Sequence, residues 1–185
     1  MSLGCASKCC SPPRSADDPV ALERREHRIA LEVLYAVDIG KASVDEALKQ
    51  ARDGTGVFGR GDEAAAEDPY EPAMPAIDRR ADAPRGTDWV LVEALVRGAR
   101  AHQAELEAQI APLLDRWTID RLSGIDRLIL DLSAWELRYR PDVQTTAVIN
   151  HAVELARRLS TARSGEFVNG VLDALAKTPP AGRGS

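Results

Sequence analysis

The stretch Ser123-Gly124-Ile125-Asp126-Arg127-Leu128-Ile129-Leu130-Asp131-Leu132-Ser133-Ala134-Trp135-Glu136-Leu137 decides the fold. Ser123 followed by Asp126 reads as a capping box, the hydroxyl taking an orphan amide at the helix start and the carboxylate reaching back. Apolar residues recur at Ile125, Leu128, Ile129, Leu132 and Trp135, with Leu137 and Tyr139 flanking, which is helical spacing. Arg140-Pro141-Asp142 stops the helix, because proline lacks an N–H and disfavours helical backbone at the residue before it. Downstream, Thr145 or Thr146 is expected to cap a helix whose face is Val148, Ala152, Val153, Leu155, Ala156 and Leu159. Thr161 to Ser164 form a connector with capping hydroxyls. Phe167, Val168, Val171, Leu172 and Leu175 then make the face of a last helix that ends before Pro179-Pro180. Amphipathic helices joined by short links must bury their stripes against one another, which makes a bundle.

Upstream, a first helix is expected from about Val20 to Gly40, with Ala30, Val33, Leu34 and Val37 facing the core and Gly40 as the C′ residue. Ser43-Val44-Asp45-Glu46 is a second capping box, opening a short helix that Gly54 ends. Thr87-Asp88 begin a long helix through Trp89, Val90, Val92, Leu95, Val96, Ala99, Leu106 and Ile110, interrupted or ended by Pro112, with Leu113, Leu114 and Trp117 continuing as a short helical turn. No strand alternation appears, so the class is all-α with about seven helices.

The organisation read from composition is a tail at 1–19, one domain at 20–177 and a C-terminal tail at 178–185. Residues 54–86 are expected to be an insertion, rich in Gly, Ala and Pro and without sustained period. Its acids, from Asp62 to Asp82, outnumber its arginines and supply much of the formal net charge of −5. A compact domain tolerates such a loop because closure entropy grows only logarithmically with length.

With 185 residues, 44 % of them hydrophobic, the chain suffices for one compact domain; aromatics at 4 % leave a core of Leu, Val, Ile and Ala. No run approaches a membrane span and the start has no apolar signal region, so a cytoplasmic protein is expected. All three cysteines, Cys5, Cys9 and Cys10, fall in the first ten residues, which is no disulfide framework. A metal site joining them to His27 would need ligands fixed by surrounding structure, so free thiols in a tail are expected, with no metal and no cofactor.

Candidates for catalysis are few. His27, His102 and His151 fall on different helices, none beside a nucleophile motif, and each is expected to be exposed or capping. Asp126 and Glu136 are nearly three turns apart and form no catalytic pair; Glu136 is expected to pair with Arg140, one turn on. The positive candidate is Glu23-Arg24-Arg25-Glu26-His27-Arg28 in the first helix. Interleaved charges read either as a solvated face or as guanidinium groups suited to phosphates and unpaired bases, and composition does not choose.

Ile125-Asp126-Arg127-Leu128-Ile129-Leu130, Trp135-Glu136-Leu137, Val148-Ile149-Asn150, Ala152-Val153-Glu154-Leu155-Ala156 and Phe167-Val168-Asn169-Gly170-Val171-Leu172-Asp173 occur in an order and spacing that resembles the transcription antitermination factor NusB family. Arg24-Arg25, Ala30-Leu31 and Leu34-Tyr35 fit that family's opening helix. The resemblance implies seven helices in two small packed bundles and a non-enzymatic role. That role is binding of single-stranded boxA RNA from ribosomal transcripts, together with the ribosomal protein NusE, in an RNA polymerase antitermination complex. By position, the implied RNA surface includes Arg24, Arg25, Arg28, Arg163 and Phe167, and the implied partner surface Tyr35, Ile39, Asp120 and Asp126. Asn169-Gly170 is expected to be structural, with glycine permitting close helix approach. Glu166 stands where relatives often carry Lys, Arg163 where an acid is common and His151 where Glu is usual. Gln144-Thr145-Thr146 stands where Pro-x-Lys is usual, and Glu166 with Gln144 suggests the alternative of a scaffold that binds NusE but RNA only weakly.

Overall fold

The computed structural model describes residues 19–54, 86–115 and 117–179, with side chains from residue 25 onward. Seven α-helices form among them: α1 (Pro19–Asp38), α2 (Val44–Arg52), α3 (Trp89–Ala101), α4 (Gln103–Ile110), α5 (Gly124–Tyr139), α6 (Thr145–Leu159) and α7 (Ser164–Lys177). Short 3-10 turns occupy Ala111–Leu113 and Ile119–Arg121. The expected N-terminal tail with its cysteines, most of the insertion and the end of the C-terminal tail lie outside the described residues.

α1, α2 and α3 pack as one group and α4 to α7 as another, with α5 touching α1, α3, α4, α6 and α7. That centrality explains its composition. From Ile125 to Glu136 nearly every residue is buried, including Asp126, Asp131 and Glu136. A helix buried on all sides keeps polar groups only where they find partners. The rest of the core is aliphatic, with Leu31, Leu34, Leu95, Ile129, Leu132 and Leu172 fully enclosed.

Most boundaries fall where the caps put them. Ser43 Oγ accepts from Glu46 N at 3.2 Å and Ser123 Oγ from Asp126 N at 3.1 Å. The Asp126 carboxylate accepts from Ser164 Oγ at 3.0 Å, so its tie is to α7. α5 ends at Tyr139, before Pro141, and α7 at Lys177.

Other expectations need correction. The helix expected from Thr87 to Pro112 is divided at His102, whose backbone leaves the helical region (φ −107, ψ 7). There the imidazole Nδ1 lies 2.9 Å from the Gly98 carbonyl oxygen and the ring packs on Tyr139. Past the 3-10 turn the chain is extended at Leu114, and Trp117 is exposed instead of continuing a helical turn. Thr145 and Thr146 are the first residues of α6, and Gln144 occupies the cap position without a side-chain bond. The left-handed residue after α1 is Lys41 (φ 54), not Gly40. Gly40 is needed for a different reason: a Cβ there would approach the Ala36 carbonyl oxygen to 2.6 Å.

Candidate nucleic-acid and partner interface

Strand-free bundles place function on their surfaces, so the disposition of the charged residues depends on how the helices run. Glu26 Oε1 accepts from Asp88 N at 2.9 Å, and Arg100 Nη1 donates to Asp38 Oδ1 at 2.5 Å. α1 and α3 therefore run parallel. His27 Nε2 lies 2.5 Å from Glu136 Oε2, near the C-terminal end of α5, and the His27 and His151 ring centroids are 5.1 Å apart. The start of α1 thus meets the end of α5 and the first half of α6.

At the other end of α5, Ser123 Oγ and Ser160 Oγ are 3.4 Å apart, and Ser164 Oγ bonds both Asp126 and Ser160 at 3.0 Å. The α6–α7 connector accordingly lies beside the start of α5. From His151 to Ser160, α6 covers about 14 Å at roughly 1.5 Å per residue.

The implied RNA residues therefore form two groups, one level with the middle of α6 and one at its C-terminal end. One is the opening of α1. Arg25 and Arg28 are half-buried there, and a Cβ on Gly86 would lie 3.9 Å from Arg25 Nη1. Arg24 belongs to the same turns of α1, its side chain outside the described set. The other group is Arg163, exposed at the α7 cap, and Phe167, half-buried against the core one turn later.

The acids interleaved in the opening of α1 are not equivalent to surface charges. Glu26 is buried and ties α1 to the first turn of α3. His27 is 3 % exposed and His151 4 %, so the expectation of exposed or capping histidines fails for both. At His102 it is met in part, since that residue caps a helix break. The expected Glu136–Arg140 pair forms at 3.5 Å, but His27 is the nearer partner. Sequence spacing showed Arg140 because it is one turn away; it gave no sign of His27 on a distant helix.

Among the implied partner residues, Ile39 is 51 % exposed and Asp120 exposed, while Tyr35 is half-buried on the core. Tyr35 and Ile39 belong to the C-terminal end of α1, beside Asp38, which pairs with Arg100 of α3. Asp126 is different. It is 8 % exposed and accepts from Ser164, so its first role is to join α5 to α7.

Asn169 and Gly170 also differ from expectation. Both are exposed, and nothing lies within 4 Å of a Cβ built on Gly170. The close helix approach belongs instead to Gly98, whose added Cβ would run into the Trp135 indole, and to Gly165, which lies under Arg157.

One further cluster escaped the sequence reading. Asp131 is buried, accepts from Gln103 Nε2 at 3.2 Å, and neighbours the Arg127–Glu107 pair. Burial, reinforced by the Glu107 charge, pushes its carboxyl up to about 7 against the opposing pull of Arg127 and the Gln103 bond. No group of His, Cys, Asp and Glu among the described residues has metal-binding geometry. No helix among them is long and apolar enough to cross a membrane.

Comparison with known proteins agrees with this architecture. The NusB family model matches residues 24–177. A Listeria monocytogenes protein named transcription antitermination protein NusB is 34 % identical over 152 residues, covering 82 % of this chain and 94 % of the relative. An Anaeromyxobacter dehalogenans protein of the same name is 34 % identical over 161 residues, covering 86 % of this chain and 94 % of the relative. A solved NusB structure from T. maritima has a TM-score of 0.64 at 24 % identity, covering 88 % of this chain and 94 % of that one. A structure of antitermination factors NusB and NusE in complex with dsRNA has a TM-score of 0.63 at 22 % identity, covering 84 % and 96 %. At these identities the structural likeness speaks to the fold.

Proposed function

The chain belongs to the NusB family, and from that premise we propose that it is a non-enzymatic transcription antitermination factor that binds boxA-like single-stranded RNA together with NusE. The complex it joins is an RNA polymerase antitermination complex. The observation that carries the reading is the family match across 24–177, which takes in both arginine groups. Among solved structures of this fold, a NusB is found with NusE and dsRNA.

The RNA surface in this reading comprises Arg24, Arg25 and Arg28 in one group and Arg163 with Phe167 in the other. Guanidinium groups suit phosphates, and a half-exposed phenyl ring suits stacking of an unpaired base. Tyr35, Ile39, Asp120 and Asp126 make the NusE surface, and Asp126 also ties the start of α5 to α7.

Titration of a short boxA RNA into the purified chain, with and without NusE and at several salt concentrations, tests this. Binding that strengthens with NusE and weakens with salt is expected. Absence of RNA binding even with NusE present overturns it.

A second reading, a scaffold that engages NusE with little RNA affinity of its own, is favoured by Glu166, exposed beside Phe167. Recovery of NusE undiminished after nuclease treatment, alongside a failed RNA titration, would select it.

A further inference from the structure

The two arginine groups lie about 14 Å apart along α6, at roughly 1.5 Å per residue. A strand that touches both must cross α6. What α6 presents to it is decided by a glycine.

Arg157 and Arg158 occupy the last turn of α6 and both are exposed. Arg157 has no ion-pair partner among the described residues, and Arg158 has only Glu154 at 3.9 Å on an exposed face. Arg157 does not extend freely into solvent. Its stem lies across Gly165, in the first turn of α7, so that a Cβ there would meet Arg157 Cγ at 2.7 Å and Nε at 3.0 Å. Gly165 is itself buried, with Arg157 among what covers it. The Arg157 stem and Nε are thereby held against the first turn of α7, which Arg163, exposed, immediately precedes. A side chain as mobile as arginine gives up considerable rotamer freedom when so seated, and a pre-seated guanidinium loses less on meeting a phosphate.

The acids near this path are Glu154, engaged with Arg158, and Glu166 and Asp120, both exposed. Arg157 and Arg158 in the last turn of α6 and Arg163 in the connector are three exposed positive charges within seven residues of chain. A phosphate backbone, with charges at regular intervals, fits such a surface.

We propose that the C-terminal end of α6 carries the middle of the RNA strand, with Arg157, seated over Gly165, and Arg158 contacting phosphates between the opening of α1 and the Arg163–Phe167 turn. This rests on the RNA-binding reading above and adds residues that reading does not contain.

The test is titration of a short single-stranded boxA RNA into the full chain with NusE at several salt concentrations. Arg157→Ala with Arg158→Ala should flatten the slope of log K against log salt by about 1.4, from roughly 0.7 per phosphate contact on single strands. Gly165→Ala provides a variant of unchanged charge: it displaces the Arg157 stem and should weaken binding several-fold while circular dichroism stays helical. If the double variant keeps the original slope while Arg24→Ala with Arg25→Ala flattens it, the path over α6 is wrong and the function stands. If the double variant instead weakens NusE binding without RNA, the face belongs to the protein contact and the proposal is overturned. If the unaltered chain binds no RNA with NusE present, both fall together.

Discussion

His27 Nε2 and Glu136 Oε2 approach to 2.5 Å in the interior, joining the opening of α1 to the last turn of α5 across 109 residues of sequence. His151 packs against His27, and Arg140 approaches the other Glu136 oxygen at 3.5 Å. Glu136 is 1 % exposed, so its charge depends on these partners in place of water. The helix bearing the candidate RNA arginines is thus anchored by a polar contact at their own level.

Glu136→Ala removes the acceptor and leaves His27 and Arg140 buried or half-buried without it. A loss of about 3 kcal/mol or more in urea unfolding is expected, as for other broken buried pairs. A cycle with His27→Ala should show coupling of about 0.5–3 kcal/mol. Additive single effects would mean the contact contributes nothing of its own.

Asp131 gives a pH dependence of definite sign. Its folded carboxyl is raised from 3.8 to about 7 by burial first, so between those values the folded state holds a proton that the unfolded state has released. Stability from this group is therefore greatest at low pH and falls as pH rises toward 7. Asp131→Asn should raise the melting temperature at pH 8 by several degrees and change it much less at pH 4. Equal effects at both values would contradict the assignment.

Gly98→Ala inserts a methyl where the Trp135 indole already lies. Overpacking of this kind costs about 1–3 kcal/mol. A lowered melting temperature with a shifted tryptophan emission is expected; unchanged stability would show that the ring moves aside freely.

Gly170→Ala is expected to act in the opposite direction. The position is mid-helix in α7, exposed and open, so alanine should stabilise by about 0.5–1 kcal/mol through lower backbone entropy in the unfolded chain. If RNA affinity falls while stability rises, the missing side chain serves a bound partner.

Arg24→Ala with Arg25→Ala should flatten the salt dependence of RNA binding by about 1.4 if both groups touch phosphates. A slope unchanged within error would remove them from the interface.

The sequence by itself determined the helices and where most of them stop. Capping hydroxyls at Ser43 and Ser123, proline at 141 and apolar spacing act within one or two turns, so they are readable without knowing the fold. The family signature lies in the same local patterns. Tertiary structure alone decided which charges face water. Glu26, His27 and His151 look like surface residues in a charged or polar run, yet each is buried because a neighbouring helix supplies its partner or its cover. It also decided that Gly98 and Gly165, not Gly170, are the close contacts, and that the arginines of α1 lie level with the middle of α6 and Arg163 at its C-terminal end. Those outcomes depend on helix direction and on which side chains oppose one another across a packed interior, quantities that no local spacing encodes.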